Sequence, residues 1–165
     1  MTIENAPNGT YGTKMPGGKL LRGIFEPLAK RSIESYRKSG GTNRMSRMMG
    51  FPVVLLTTKG AKSGLERTSS LGGFADGDEA WLVVASNGGS ASHPAWFLNM
   101  VKNPDDIWLE VGKRKLKVHG ESLTSAARED AIKRIAAISA RYGGYQQKTD
   151  RKIPVVRLTV VEPKS

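Results

Sequence analysis

A chain of 165 residues with 26 Lys and Arg against 15 Asp and Glu carries a net charge of +11, which suits one domain with an anionic partner. It has no cysteine and only two histidines, His93 and His119, which excludes disulfides, thiolate catalysis and Cys-based metal sites and predicts no metal centre. No run approaches the ~18 consecutive apolar residues of a membrane span, and the N-terminus lacks the apolar core of a secretory signal, so a cytoplasmic protein is expected.

In chain order, residues 1–18 read as a polar, Gly/Pro-rich arm expected to be flexible. Residues 19–50 are predicted to be a basic amphipathic helical segment and linker, and residues 51–165 the main domain. Within Lys19–Lys38, Leu20, Leu21, Ile24, Phe25, Leu28 and Ile33 recur at roughly helical spacing against Lys19, Arg22, Lys30, Arg31, Arg37 and Lys38. Pro27 is expected to kink this helix or start a second one. Two readings stay open. The helix packs on the domain with a solvated basic face, or it leans on anionic lipid, where each basic residue near the surface is worth about 1 kcal/mol. Met45, Met48 and Met49 are expected to cap a core rather than form a recognition surface.

From Phe51 the pattern turns to strands. Pro52–Thr58 is an apolar run suited to a buried strand, and Arg67–Phe74 a weaker one with hydroxyls and glycines. Asp76-Gly77-Asp78 signals a hairpin leading to a strand over Ala80–Ser86. Pro94 suits the first turn of a helix that stops before Asn103-Pro104. Asp106–Val111 and Arg114–Glu121 flank Gly112-Lys113 as a second hairpin. Thr124–Tyr142 is predicted to be a helix capped by Thr124 or Ser125, with Ile132, Ile135, Ala136 and Ile138 as its apolar stripe and Gly143-Gly144 as its end. Ile153–Val161 closes the chain as a strand. Tight turns between strands make the sheet antiparallel, and the predicted class is α+β, a small β-barrel with flanking helices.

Three places carry chemistry. Lys62 and Arg67 stand at the ends of a turn containing Ser63 and Gly64, followed by Thr68 and Ser69; it is a phosphate or carboxylate cradle in type, or else a solvated basic hairpin. Ser86-Asn87-Gly88-Gly89 follows a strand directly and offers a hydroxyl and backbone amides to the edge of a flat heterocycle, or is an ordinary glycine loop. Trp96, Phe97 and Asn99 lie on the next helix, where Trp96 and Asn99 share a face and form a wall with a polar tip, or core. His93, ahead of Pro94, reads as structural. Tyr142 and Tyr145 flank Gly143-Gly144 and combine flat apolar area with a proton donor, or simply pack at a helix end.

The segments TTKGAKSGLERTSSL, ASNGG…HPAWFLNMVKNP and YGGYQQKTDRKIPVVRL, taken together and in this order, resemble the deazaflavin-dependent nitroreductase family, in its class A type. The resemblance spans roughly residues 51–163. It implies a split β-barrel, like the FMN-binding split barrels, that binds reduced coenzyme F420, whose acidic tail matches the excess positive charge. Carried over by position, it makes Lys62 and Arg67 binders of the tail, with Ala61 and Ser63 in the same turn. Thr68, Ser69, Ser70, Leu71 and Gly72 fall where the family's strand touches the cofactor. Val84, Ala85, Ser86 and Asn87 run along the ring. Ala95, Trp96, Phe97, Leu98 and Asn99 enclose it, Tyr142 faces cofactor and substrate, and Tyr145 stands at the substrate entrance. Departures include Ala61 for a usual Arg, Ser70 for a common Pro, Asn87 for a frequent Lys, and Ser139 and Lys148 in place of aromatic residues.

The implied reaction is hydride transfer to a quinone, an α,β-unsaturated carbonyl or a nitro compound. Tyr142 or Ser86 donates a hydrogen bond to the acceptor, and Tyr142 or water supplies the proton. The alternatives are an FMN-dependent split-barrel oxidoreductase and a non-catalytic F420-binding protein. Nucleic acid is not an expected partner, because aromatic residues do not interleave with a basic patch. Peripheral contact with the inner membrane face through Lys19–Lys38 is a further expectation.

Overall fold

A computed structural model of the chain describes residues 2–14 and 19–161, with residues 19–22 described by backbone alone. The chain opens with helices α1 (Lys19–Ser39) and α2 (Arg44–Met48). Strands β1 (Val53–Lys59), β2 (Glu66–Gly72), β3 (Phe74–Ala75) and β4 (Ala80–Val84) follow, then helix α3 (Ala95–Lys102). The hairpin β5 (Ile107–Val111) and β6 (Arg114–Ser122), helix α4 (Ser125–Ile138), a short turn of helix α5 (Arg141–Gly144) and strand β7 (Val155–Val160) complete it.

All pairings are antiparallel, in the order β2-β1-β5-β6-β7-β4-β3. The two end members of that order, β2 and β3, are consecutive in the chain and separated only by Gly73. One bent strand therefore carries the chain from one edge of the sheet to the other and curls it into the expected split barrel, with β2 alongside β4. The interior is solid. Val54 and Leu56 of β1, Ile107 and Leu109 of β5, Val118 of β6, Val156 and Leu158 of β7, and Trp81 and Val83 of β4 pack with Phe97 and Met100 of α3. At roughly 1.5–3 kcal/mol per fully buried large apolar side chain, this packing holds the barrel together. A ligand must therefore sit outside the barrel.

The opposite face of β4 and β7 carries a second layer in which Phe74, Leu82 and Val155 meet Ala131 and Ile135 of α4. The expected stripe of that helix is corrected at its end. Ile138 is 56 % exposed, while Arg128 and Ala131 take buried places. The helix stops at Ile138 instead of running to Tyr142, and α5 supplies a separate turn.

Pro27 lies within one continuous α1 and starts no second helix. Among the described side chains of α1, those near its C-terminus hold it to the sheet. Tyr36 is buried, donates from Oη to Val53 O (3.0 Å) and accepts from Gly112 N (2.9 Å). Arg37 makes two 2.9 Å bonds to the Glu110 carboxylate. Ile24, Phe25 and Leu28 stand exposed, so the stripe expected to pack on the domain is unburied in this stretch. Met45 and Met48 are exposed as well and cap no core. No helix among the described residues is long and apolar enough to cross a membrane. The N-terminal arm, expected to be flexible, is docked: Ile3 is buried with the barrel core, and Glu4 N donates to Ser122 Oγ (2.9 Å).

Candidate active site

The β1–β2 register sorts the expected cofactor-binding residues of β2 into two sets. Directly paired residues share a face of the sheet. Arg67, Ser69 and Leu71 lie opposite Thr58, Leu56 and Val54, on the barrel-interior side; Thr68, Ser70 and Gly72 lie opposite Thr57, Leu55 and Val53, on the outer side. Strand alternation prevents one ligand from meeting all five side chains on a single face. What β2 offers is backbone, because among the described residues it is laddered only to β1 and its other edge has no hydrogen-bonded strand partner.

At the N-terminal end of β2 the turn carrying Ala61, Lys62 and Ser63 is exposed, as is Arg67. Neither Lys62 nor Arg67 forms an ion pair among the described residues. Asn99 fixes this turn to α3. Its Oδ1 accepts from Ala61 N (3.0 Å) and its Nδ2 donates to Thr58 Oγ1 (3.1 Å). Buried and engaged at both ends, Asn99 shapes the turn; the expectation that it presents a polar tip to a ligand is corrected.

At the other end, about 17 Å away at ~3.3 Å per residue, Gly72 meets an aromatic cluster. A Cβ on Gly72 would lie 2.5 Å from the Tyr142 hydroxyl, so only glycine permits that approach. The Tyr142 ring stands edge-on to Phe51, Phe74 and Tyr145 at centroid distances of 5.6, 5.3 and 5.4 Å. Val84, Tyr142 and Tyr145 line a cavity of about 30 Å³ together with Arg128, Ile135 and Gln146. Burial, seconded by the neighbouring Tyr145 and opposed by Arg141, pushes the Tyr142 phenol up to about 12. Its hydroxyl makes no hydrogen bond among the described residues. It is a neutral donor held ready for a partner.

The loop after β4 follows Val84, which lines the cavity beside Tyr142. Ser86 and Asn87 are half-buried, and the Ser86 hydroxyl is unengaged among the described residues, whereas Asn87 Nδ2 donates to Ser92 O (3.1 Å). Two expected contacts are corrected here. Ala85 and Phe97 are 0 % exposed in the barrel core, so their side chains cannot touch a ligand outside it. Trp96 is half-buried against that core, while Ala95 and Leu98 are exposed on α3.

The sequence reading missed Arg151, which is 1 % exposed. Its guanidinium donates to Ser90 O (2.9 Å), Ala85 O (3.0 Å), Ser86 O (2.8 Å) and His93 Nδ1 (2.9 Å). With Nδ1 accepting, His93 is neutral and donates from Nε2 to Ala6 O (2.8 Å). Burial first, then the Arg151 charge, hold its pKa below the ordinary histidine value. Arg128 was missed as well; it donates to Ile153 O and Gln146 Oε1, fixing the segment behind Tyr142. Among 26 cations nothing in spacing marks these two as internal.

The residues present fit an elongated, acidic, flat-headed group. A strand edge without a ladder partner among the described residues leads from unpaired cations to an unpaired phenol. The family model described as F420H(2)-dependent quinone reductase matches residues 28–160. An F420H(2)-dependent quinone reductase of Mycobacterium tuberculosis is 40% identical over 113 residues, covering 66% of this chain and 73% of that protein. A solved F420-H2 dependent reductase (FDR-A) superposes with a TM-score of 0.59 at 36% identity, covering 65% of this chain and 93% of that one. A structure described as a domain-swapped dimer gives a TM-score of 0.62 at 31% identity, covering 82% and 98%.

Proposed function

The chain belongs to the F420H(2)-dependent quinone reductase family, and from that membership we propose that it reduces a quinone-type acceptor at the expense of reduced coenzyme F420, held along the free edge of β2. When bound, the reduced deazaflavin supplies the hydride. The chain's own residues supply position, charge and a hydrogen bond. Lys62 and Arg67, with Ser63 between them, take the acidic tail through charge-assisted hydrogen bonds. The backbone of Thr68–Gly72 would lie beside the cofactor, and Val84, Ser86, Asn87 and Trp96 would flank its ring. Tyr142 and Tyr145 form the acceptor's side of the pocket.

A quinone that gains a hydride carries a negative oxygen and needs one proton to become the hydroquinone. That oxygen resembles a phenolate, with a pKa near 10. The Tyr142 phenol, pushed up to about 12, is the weaker acid. Tyr142 therefore stabilises the charge by donating a hydrogen bond, and the product takes its proton from bulk solvent, since neutral pH lies well below a pKa near 10. Ser86 is the second donor within the loop. Enones and nitro compounds place negative charge on oxygen in the same way and belong to the same proposed acceptor class. The exposed Ile24, Phe25 and Leu28 beside Lys30 and Arg31 support peripheral contact of α1 with anionic lipid.

The observation that carries this reading is the pairing of an unpaired cationic turn with an unpaired half-buried phenol at opposite ends of one strand edge. Titration of the purified protein with F420 and with FMN tests it, followed by F420H2 oxidation with menadione, cyclohexenone and a nitroaromatic. F420 should bind preferentially and menadione should be reduced. Preferential FMN binding contradicts the proposal, and F420 binding without turnover of any acceptor reduces the protein to a carrier.

A further inference from the structure

Residues 2–14 lie outside the segment 28–160 that matches the family, yet they are threaded into the loop that carries Ser86 and Asn87. Gly9 N donates to Ala91 O (2.8 Å) and Thr13 N to Gly89 O (2.9 Å). The Asp150 carboxylate accepts from Thr10 N (2.8 Å), Thr10 Oγ1 (2.6 Å) and Tyr11 N (3.1 Å), while Thr149 Oγ1 donates to Tyr11 O (2.7 Å). His93 ties Ala6 O to the Arg151 guanidinium, which holds the carbonyls of Ala85, Ser86 and Ser90. At Gly12 the backbones approach so closely that a Cβ would collide with Ala91 N and lie 2.7 Å from Gly89 O.

The loop needs such a hold. Asn87 has φ 45°, Gly88 φ 64° and Gly89 φ 84°, a run of left-handed backbone that a free chain seldom keeps. Its own backbone bonds among the described residues are Gly89 N to Ser86 O (2.8 Å) and Ser90 N to Asn87 O (3.1 Å), with the Asn87 Nδ2 bond to Ser92 O (3.1 Å) beside them.

We infer that residues 2–14 are a clasp, acting with His93 and Arg151 as positioning residues, that presets the ring-lining loop 85–90 and thereby sets cofactor affinity. This rests on the reading of Ser86 and Asn87 as ring-lining. A preset loop spares the ligand the ordering cost of binding, so loosening the clasp weakens binding rather than the chemical step.

Gly12→Val in the full chain separates this from general stability, because Ile3 stays in the barrel core. The measurements are F420 affinity by fluorescence titration, kcat at saturating F420H2, and amide exchange at Gly89 and Ser90 without cofactor. The expected result is F420 binding weaker by roughly ten-fold, as lost preorganisation would give, with kcat within about two-fold and exchange at both amides at least about ten-fold faster, the signature of local opening. Deletion of residues 2–14 should act in the same direction and further. Unchanged F420 affinity in Gly12→Val overturns the inference, whatever the exchange does. If the parent protein itself takes up no F420, the cofactor assignment falls and the inference with it, which distinguishes the two failures.

Discussion

At the start of β2, Lys62, Ser63 and Arg67 stand in solvent with no ionic partner among the described residues; at its far end, Tyr142 is enclosed by Phe51, Phe74 and Tyr145, behind a segment pinned by Arg128. The cationic end can attract an acidic group from a distance but fixes little, because exposed charges are screened within about 8–10 Å at ordinary ionic strength. The aromatic end attracts nothing from afar yet holds its donor in one place. Affinity should therefore respond to salt at one end, and turnover to single atoms at the other.

Arg151 belongs wholly to the second kind of region and should show the largest effect. Arg151→Met removes the donor from the buried Ala85 carbonyl, at a cost of about 1–3 kcal/mol, and from the part-buried carbonyls of Ser86 and Ser90, at about 1 kcal/mol each, so a loss of roughly 3–5 kcal/mol of stability is expected in urea unfolding. A loss below about 1 kcal/mol would mean that the loop relaxes to water at little cost.

Tyr142→Phe comes next. Turnover should fall by about 10²-fold, the low end of what a positioned donor contributes, with F420 affinity nearly intact. Because burial pushes this phenol up to about 12, the pH–rate profile of the parent should show no Tyr142 limb up to about pH 10. Loss of all F420 binding in the variant would move Tyr142 from the acceptor side to the cofactor side.

Lys62→Ala with Arg67→Ala probes the solvent end. Two exposed charge contacts of about 0.2–1 kcal/mol each predict F420 binding weaker by up to roughly 30-fold at low salt. The difference should shrink as salt rises, because screening weakens the parent's attraction. A salt-independent effect would indicate that the turn acts by shape.

The smallest effect is expected at His93. Its pKa is lowered in the fold, so the contribution of its neutral form is present above the unfolded value of about 6.5. That contribution is lost as pH falls below 6.5 toward the folded pKa. Unfolding measured from pH 8 to pH 5 should show this loss in the parent and less of it in His93→Gln.

The barrel itself was legible because Val53–Thr58 and Trp81–Ala85 are apolar and β-branched, and because Asp76-Gly77 and Gly112-Lys113 mark hairpins that formed where expected. Lys62 and Arg67 read from the sequence as a cradle or a solvated basic hairpin, and the fold leaves both exposed at a turn. The remainder was hidden for a shared reason. Asp150 meets Thr10 from 140 residues away, and Asn99 meets Ala61 from 38, and no local periodicity encodes such contacts. Arg151 lies in the charged run Lys148-Thr149-Asp150-Arg151-Lys152 and reads as a surface charge, so nothing foretold that it would be enclosed by carbonyls. Ile138 misled in the opposite way, since helical spacing assigns a face but cannot say that the helix ends before that face is covered.

The most direct test of the central claim is a crystal structure of the protein with F420 bound. The account predicts the phosphate and tail within reach of Lys62 and Arg67, the ring beside Val84 and Ser86, and the Tyr142 hydroxyl facing the open side of the ring. A tail lying away from Lys62 and Arg67, or a ring on a surface that does not include the edge of β2, would contradict it.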